Sequence, residues 1–419
     1  MDKKDILVIG GGICGLCSAY YLTQAGHRVL VLDQSNIAGG CSFGNAGMIV
    51  PSHFVPLAAP GMVSRGLRWM LRRDSPFYVH LSPDPSLFSW GWKFFRASNA
   101  ERVQKAMPAL RDISLLSRKL FAEIASSEQF SFSFETRGLL MLCKTEKVAE
   151  EEAHTAAIGN QLGIEAKVLN RQEVARMEPA LLPDVVSGVH YPGDAHCNPA
   201  QLMEALKEWL AAHGATFFPE CQVTGFRISG STIKEIQTPE QSFQADEVIL
   251  CAGSWSGRLA RKLGLALPLQ AGKGYGMTVA RGSHGLVHPS ILCGARVAIT
   301  PMGDLLRFGG TMEIGGSPTE VNPQRVQGIL KAITEYFPGF YPEVKIPDQV
   351  WSGLRPCSPD GMPYIGRPGK YRNLVVATGH AMMGLSLGPA TGYLVRGLVE
   401  NEKAPIELDL FSPDRYRYR

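Results

Sequence analysis

Charge is scarce in this chain: Asp, Glu, Lys and Arg make up 19% of its 419 residues, against 45% apolar side chains. That balance excludes a solvated, disordered chain and suits a packed globular protein. The net charge is only +4 and no dense Lys/Arg run appears, so nothing points to a nucleic-acid surface. No stretch of about 18 uninterrupted apolar residues is present to span a bilayer. The lysines and apolar residues at the start resemble a leader only superficially. Ile6-Leu7-Val8-Ile9 runs straight into three glycines, the pattern of a buried strand. The nine cysteines (14, 17, 41, 143, 197, 221, 251, 293 and 357) are odd in number and scattered singly. They read as free thiols in a reducing cytoplasm, not as a disulfide framework. Metal-ligand clusters, a Ser/His/Asp nucleophile elbow, internal repeats and low-complexity linkers are also missing. The length itself exceeds one typical core, so two lobes are expected.

What is present starts at once. Ile6–Ile9 leads into Gly10-Gly11-Gly12-Ile13-Cys14-Gly15, which satisfies G-x-G-x-x-G. Leu16, Ala19, Tyr20 and Leu22 recur at helical spacing, the helix closes near Gly26, and Arg28–Leu32 is a second strand ending at Asp33. Gly10 makes the tight turn, Gly12 lets a pyrophosphate approach the backbone, and Gly15 lets the helix pack on the strand. The helix N-terminus offers free N–H groups and positive dipole to phosphates. Asp33 stands where a carboxylate accepts hydrogen bonds from the adenosine ribose. Cys14-x-x-Cys17 falls inside this turn and helix, where small buried side chains permit close packing. The unit is a dinucleotide site; NAD and FAD both remain open at this point.

Two further segments favour the longer FAD. The loop Gly39-Gly40-Cys41-Ser42-Phe43-Gly44-Asn45-Ala46-Gly47-Met48 follows the second strand, where a nicotinamide domain normally enters its next helix. It is suited to wrap a pyrophosphate and the edge of a tricyclic ring. Near the other end, 373–380 and 384–392 read as strand, glycine turn and helix, whose free N-terminus suits an anionic flavin edge. A third strand, 247–251, ends in the turn Ala252-Gly253-Ser254-Trp255.

Together with Gly193-Asp194-Ala195-His196, Gly272-Lys273-Gly274-Tyr275, Gly353-Leu354-Arg355-Pro356 and Thr378-Gly379-His380, these motifs carry a resemblance across nearly the whole chain. The sequence resembles the D-amino-acid oxidase superfamily of flavoproteins, which includes glycine oxidase, sarcosine oxidase and bacterial D-amino-acid dehydrogenases. The stretch 41–73 is most similar to the dehydrogenases, especially those acting on cyclic D-imino acids such as cis-4-hydroxy-D-proline. The resemblance implies an α/β fold with a discontinuous Rossmann-like FAD-binding domain and a smaller α+β substrate domain with a mostly antiparallel sheet. It implies FAD held without a covalent bond, because Cys357 is not at the spacing of the sarcosine oxidase attachment cysteine. It also implies cofactor contacts at Gly10, Gly12, Ile13, Cys14, Gly15, Asp33, Gln34, Cys41, Ser42, Asn45, Ala46, Gly47, Met48, Val223, Ala252, Gly253, Gly379, His380, Gly384, Leu385 and Ser386.

The cofactor segments are expected at 1–55, 188–265 and 350–419, and the substrate segments at 56–187 and 266–349. Helices are expected near 100–126, 145–162 and, after an Asn198 cap, 199–213. Strands are expected at Leu139–Leu142, Tyr275–Val279 and Leu305–Phe308, with Cys221–Ile228 as the strand near adenine.

Oxidation of an amino acid to its imino acid places the hard chemistry on the cofactor, so the protein must position a substrate and exclude water. A bidentate arginine is the best anchor for a carboxylate. Arg355 matches the arginine that holds the substrate carboxylate in glycine oxidase-like enzymes; its other reading is a pin at the lobe junction. Tyr275 is a candidate hydroxyl donor to the substrate or a core residue. His53 is a candidate substrate-facing group or a cap. For His380 the backbone is expected to matter more than the ring. Arg307 falls where sarcosine oxidases carry an oxygen-activating lysine, which favours an acceptor other than oxygen, a quinone or another carrier. Residues 61–96 mix Met62, Leu67, Trp69, Met70, Leu71, Trp90, Trp92, Phe94 and Phe95 with Arg65, Arg68, Arg72, Arg73, Lys93 and Arg96. Such a mixture suits either an interfacial helix on the inner face of an anionic membrane or a lid with a solvated basic face. The competing functions are a glycine/sarcosine-type oxidase using oxygen, a flavin-holding subunit of a larger amine dehydrogenase, and an NAD-linked dehydrogenase. Enantiomer and oligomeric state stay open.

Overall fold

The computed structural model describes all residues except 1–2, 38–39, 71–74, 81–82, 180–181, 282–284, 316–319, 343, 345, 347 and 417–419. Gly39 of the glycine loop, and Leu71, Arg72 and Arg73 of the basic aromatic stretch, lie outside the described residues.

Strand Asp5–Ile9 sits in a six-stranded sheet of order 364–366, 374–378, 247–250, 5–9, 28–32 and 216–218. All neighbours are parallel except the edge pair of Tyr364–Gly366 with Leu374–Thr378. Alternate residues of the first strand serve opposite faces, as the period of two requires. Ile6 and Val8 join a core with helices Ile13–Gln24, Ala100–Ala125, Pro199–Ala212 and Gly388–Glu400. Leu7 and Ile9 face helix Ser256–Lys262 and the antiparallel meander 225–243. Apolar layers on both sides explain why this strand is an unbroken hydrophobic run.

Small residues set the distances in this lobe. A Cβ at Gly15 would lie 1.8 Å from the Gly10 carbonyl oxygen, so helix Ile13–Gln24 can reach the strand only with glycine there. A Cβ at Gly392 would lie 2.3 Å from the Cys17 carbonyl oxygen, and one at Gly388 would lie 2.6 Å from Ile13. The Cys14-x-x-Cys17 pair therefore marks a close helix–helix contact. Burial pushes the Cys14 thiol up to about 12 and Cys17 well above its usual value, so neither is a thiolate.

The second main sheet has nine strands, mostly antiparallel, among the described residues. The expected strands fall inside Leu139–Cys143, Gln270–Ala280 and Leu305–Ile314, and the expected helices agree to within a residue at each end with Ala100–Ala125, Glu146–Gln161 and Pro199–Ala212. The Asn198 side chain caps the last of these from Ala200 N–H at 3.0 Å and Gln201 N–H at 3.4 Å.

Three details are fixed only by the fold. Strand Val350–Cys357, read as opening the third cofactor segment, pairs with Gln270–Ala280 in the large sheet. Only Gly225–Ser229 of the expected strand 221–228 is a strand; Cys221, Gln222 and Val223 are loop. The C-terminal helix starts at Gly388, after a one-turn helix at Ala381–Met383.

Gly15→Ala is expected to force helix and strand apart, costing about 1–3 kcal/mol as overpacking does. Thermal unfolding and the flavin absorbance of the purified variant check it; a wild-type midpoint with full flavin would contradict the packing argument.

Candidate active site

One large cavity of about 1050 Å³ runs along the C-terminal ends of the parallel strands and under the large sheet. It brings together residues from Gly10 to Leu385, that is, from nearly the whole chain. At its narrow-turn end lie Gly10, Gly12, Ile13 and Cys14, with Asp33, Gln34 and the 221–223 loop beside them. Gly10 has φ +111, and its Cβ would meet the Cys251 carbonyl oxygen at 2.5 Å. Gly12 differs, since its Cβ would touch only Ser42 Oγ at 3.4 Å. No packing demand of the protein itself requires glycine there, so the room belongs to whatever enters the cavity. Gly12 is the N-cap of helix Ile13–Gln24 and supplies no side-chain cap. Ser42 Oγ accepts the Ile13 N–H at 3.0 Å. The Asp33 carboxylate accepts from Gly11 N–H at 2.7 Å and from Ser35 N–H at 2.8 Å, which aims it while leaving lone pairs free.

Further along, Cys41, Ser42, Asn45, Ala46 and Met48 border the cavity from the glycine loop, facing Ala252, Gly253, His380, Gly384 and Leu385. Four residues expected at the site act from behind it. Gly15 packs on Gly10; a Cβ at Gly47 (φ +77) would strike the Cys197 carbonyl, and one at Gly379 (φ +80) the Tyr364 ring. Ser386 Oγ accepts the Val50 N–H at 3.0 Å. Arg307 clamps the loop from outside: Nη1 donates to the carbonyls of Phe43 and Asn45 at 2.8 and 3.1 Å, and Nε to Thr278 Oγ1.

The wall opposite the loop is strand Val350–Cys357, with Trp351, Gly353 and Arg355 on one face. Arg355 Nη1 donates to the Thr311 carbonyl at 2.6 Å, and among the described residues no carboxylate lies within ion-pair distance. Its guanidinium lies across Gly274, whose Cβ would come within 2.1 Å of Nη2. Burial works against the charge and lowers its affinity for the proton. The Trp351 ring occupies the space that a Cβ on Gly44 or Gly353 would fill, at 2.2 and 2.0 Å. Sequence reasoning missed Trp351, although its spacing from Arg355, two periods along one strand, carried the signal.

Of the two readings of Tyr275, its surroundings favour the core residue, although it also borders the cavity. Alternation on strand Gln270–Ala280 sends Gly272, Gly274 and Gly276 toward Arg355 and Trp351 and sends Lys273, Tyr275 and Met277 the other way. The Tyr275 hydroxyl donates to Glu313 Oε1 at 2.9 Å and accepts from Asn322 N–H at 3.1 Å. It is 1% exposed and committed to that network, so it is not free to donate to a substrate. His53 borders the cavity, and its Nδ1 lies 3.1 Å from Ser52 Oγ.

With this geometry in view, the comparisons are direct. A family model described as DAO, FAD dependent oxidoreductase, matches residues 5–398. The chain belongs to this FAD-dependent oxidoreductase family. The flavoenzyme is similar to D-amino acid dehydrogenase of Bradyrhizobium diazoefficiens, at 30% identity over 420 residues covering 99% of both chains. It is similar to D-amino acid dehydrogenase of Granulibacter bethesdensis at 31% identity, covering 96% of this chain and 97% of the relative. Its fold is shared with glycine oxidase from Geobacillus kaustophilus (TM-score 0.79, 24% identity, all of both chains). L-proline dehydrogenase from P. horikoshii shares it too (TM-score 0.76, 19% identity, 99% and 98% covered).

The flavoenzyme's cofactor is FAD, and the cavity fits it. A helix N-terminus whose N-cap residue has no side chain and an open glycine suit a diphosphate, while an oriented carboxylate suits a ribose. The long trough beyond them accepts a tricyclic ring. His380 contributes more than backbone: its Nε2 lies 2.9 Å from Thr391 Oγ1 and its Nδ1 lies 3.6 Å from Cys14 Sγ. Burial pushes this ring from the usual 6.5 down to about 3, so it is neutral in the native state.

A depressed histidine stabilises the fold above its unfolded value and loses that contribution as pH falls. Between pH 6.5 and about 3, wild-type stability relative to His380→Gln is expected to fall by about 1.4 kcal/mol per pH unit. Urea unfolding of both proteins at pH 7, 6 and 5 checks it; parallel slopes would show that the ring is not held neutral.

Proposed function

We propose that this flavoenzyme dehydrogenates D-amino or D-imino acids, with D-proline and cis-4-hydroxy-D-proline as candidate substrates. The observation that carries the reading is Arg355, a half-buried guanidinium with no carboxylate partner among the described residues, bordering the cofactor cavity. An uncompensated buried cation is costly unless an anion completes it, and a substrate carboxylate is that anion. Gly274 lets the guanidinium lie flat along the strand, and Thr311 O fixes its orientation. FAD, when bound, supplies the two-electron acceptor for the substrate Cα hydride. The chain's part is to hold the carboxylate at Arg355, to wall the substrate with Trp351 and to exclude water. The names of the curated relatives support the same reading. The two-lobe division, a cofactor part and a substrate part meeting at this cavity, belongs to it as well.

For the electron acceptor we propose a quinone or other carrier in place of oxygen. Arg307, at the position where the resemblance suggests an oxygen-activating lysine, is committed to the Phe43 and Asn45 carbonyls. Helix Pro85–Ala97 adds a surface suited to a membrane-borne acceptor. Leu87 and Trp90 face inward, the Trp90 indole donating to the Cys357 carbonyl at 2.9 Å. Phe88, Trp92 and Phe95, at helical spacing, are 57–64% exposed beside Lys93 and Arg96. Among the described residues no helix is long and apolar enough to cross a membrane, so contact would be peripheral.

Anaerobic mixing with a panel of D-, L- and cyclic amino acids is expected to bleach the flavin with D-proline or cis-4-hydroxy-D-proline. Arg355→Lys is expected to bind the bleaching substrate roughly 30- to 100-fold more weakly with flavin absorbance unchanged. Peroxide formed in step with oxygen uptake would select a glycine/sarcosine-type oxidase, and a flavin that no amino acid bleaches would select a cofactor-holding subunit. Flotation with anionic liposomes is expected to carry wild type but not Trp92→Ser/Phe95→Ser; wild type left at the bottom would remove the membrane contact.

A further inference from the structure

A corner of the cavity holds a polar chain that carboxylate binding does not use. Ser52 donates both its N–H and its hydroxyl to Asp194, at 3.1 and 2.5 Å. The same Oγ lies 3.1 Å from His53 Nδ1. Ser52 and His53 border the cavity, whereas Asp194 is 1% exposed and lies behind them. Two segments far apart in sequence are brought together here by the pairing of Met48–Ile49 with Ala195–His196. Among the described residues Asp194 has no ion pair within 4 Å, and His53 Nε2 has no hydrogen-bond partner.

The single hydroxyl proton of Ser52 ties the two ends together. When it points to an ionised Asp194, Oγ can only accept, so His53 carries its proton on Nδ1 and presents a bare Nε2. When Asp194 is protonated the chain reverses, and Nε2 carries the proton. We propose that Asp194, Ser52 and His53 form a relay that removes the proton of the substrate's ammonium group. This rests on the amino-acid reading above, since a hydride leaves Cα readily only when the nitrogen is a free amine. The step balances without an added reagent. One ammonium N–H bond breaks and its proton bonds to Nε2. The Nδ1 proton passes to Ser52 Oγ, whose own proton passes to Asp194 Oδ2. The products are a neutral amine, a neutral imidazole in its other tautomer and a neutral carboxyl.

The surroundings suit this division of labour. Burial raises Asp194 to about 7, against the two Ser52 hydrogen bonds and the nearby Arg118, so it can take up and release a proton near neutrality. Burial and Arg296 press His53 down to about 4, so the ring passes the proton on and does not keep it. Arg118 lies close through its bond to the Gly193 carbonyl at 3.2 Å. Tyr191, Cys143 and Cys293 face the same region; burial pushes Tyr191 up, and the contact with Cys143 together with burial pushes Cys293 up, so both stay protonated. Glu152 is a rival acceptor: it borders the cavity and burial raises it, with Arg296 opposing.

The test uses the full-length, FAD-loaded protein with ¹⁵N-labelled histidine, titrated from pH 5 to 9 by NMR, with the His53 signals identified by their loss in His53→Asn. Wild type is expected to move its proton from Nε2 to Nδ1 with a midpoint near 7 while the ring stays neutral, and Asp194→Asn to show no such movement. A wild-type tautomer that does not change with pH would overturn the relay, as would a switch abolished by Glu152→Gln and kept in Asp194→Asn. The wild-type titration decides alone if Asp194→Asn does not fold. In anaerobic stopped flow with a bleaching substrate, flavin reduction is expected to fall about tenfold per pH unit below the midpoint. Asp194→Asn should lose that limb and reduce about 100-fold more slowly on the plateau. A bleached flavin with a fixed tautomer would sink the relay and leave the oxidation reading standing. A switching tautomer with no bleaching would sink the oxidation reading and, with it, the relay's proposed task.

Discussion

The substrate end of this protein depends on one constraint, the glycines at every second position of strand Gln270–Ala280. Gly272, Gly274 and Gly276 give that strand a face without side chains, and the neighbouring strand fills it with Cys357, Arg355 and Trp351. The guanidinium can lie flat against backbone only because nothing projects there. On the opposite face Lys273 and Tyr275 join Glu313, whose carboxylate also meets His80 at 3.1 Å. One side of a single strand is therefore anchored in a buried polar network, and the other is free to present a cation to the cavity.

The cofactor end follows from a second close approach, in which helix and strand meet at Gly10 and Gly15. The two ends are joined by the loop that Arg307 fastens to the large sheet. That clamp makes the loop part of a rigid wall, which matters because reaction geometry tolerates little looseness. The buried titratable groups are then distributed by environment. Arg355 is left without an anion, His380 is kept neutral at the flavin turn, and Asp194 is poised near neutrality behind a serine.

Much of the cofactor site was legible because local rules encode it. The glycine turn, the acid at the end of the second strand and the loop after it are short-range features whose chemistry and spacing suffice. Arg355 was singled out by its likeness to the carboxylate-holding arginine of glycine oxidase-like enzymes, and its place on the cavity wall came only from the fold. Tyr275 was left open between hydroxyl donor and core residue because its motif says nothing about which face of the strand it occupies. One residue of register exchanges the cavity for the polar network. The same ambiguity hid Trp351, which shares the face of Arg355.

The sequence by itself determined a dinucleotide fold, the favouring of FAD and the presence of an arginine able to bind a carboxylate. These rest on contacts between residues close in the chain or on the chemistry of a single side chain. Only the tertiary structure decided that Arg355 has no carboxylate partner among the described residues, that Arg307 is a clamp and that Ser52 joins Asp194 to His53. Each depends on which distant segments meet, and in a chain of 419 residues that is set by the packing of two sheets, which no local pattern reports.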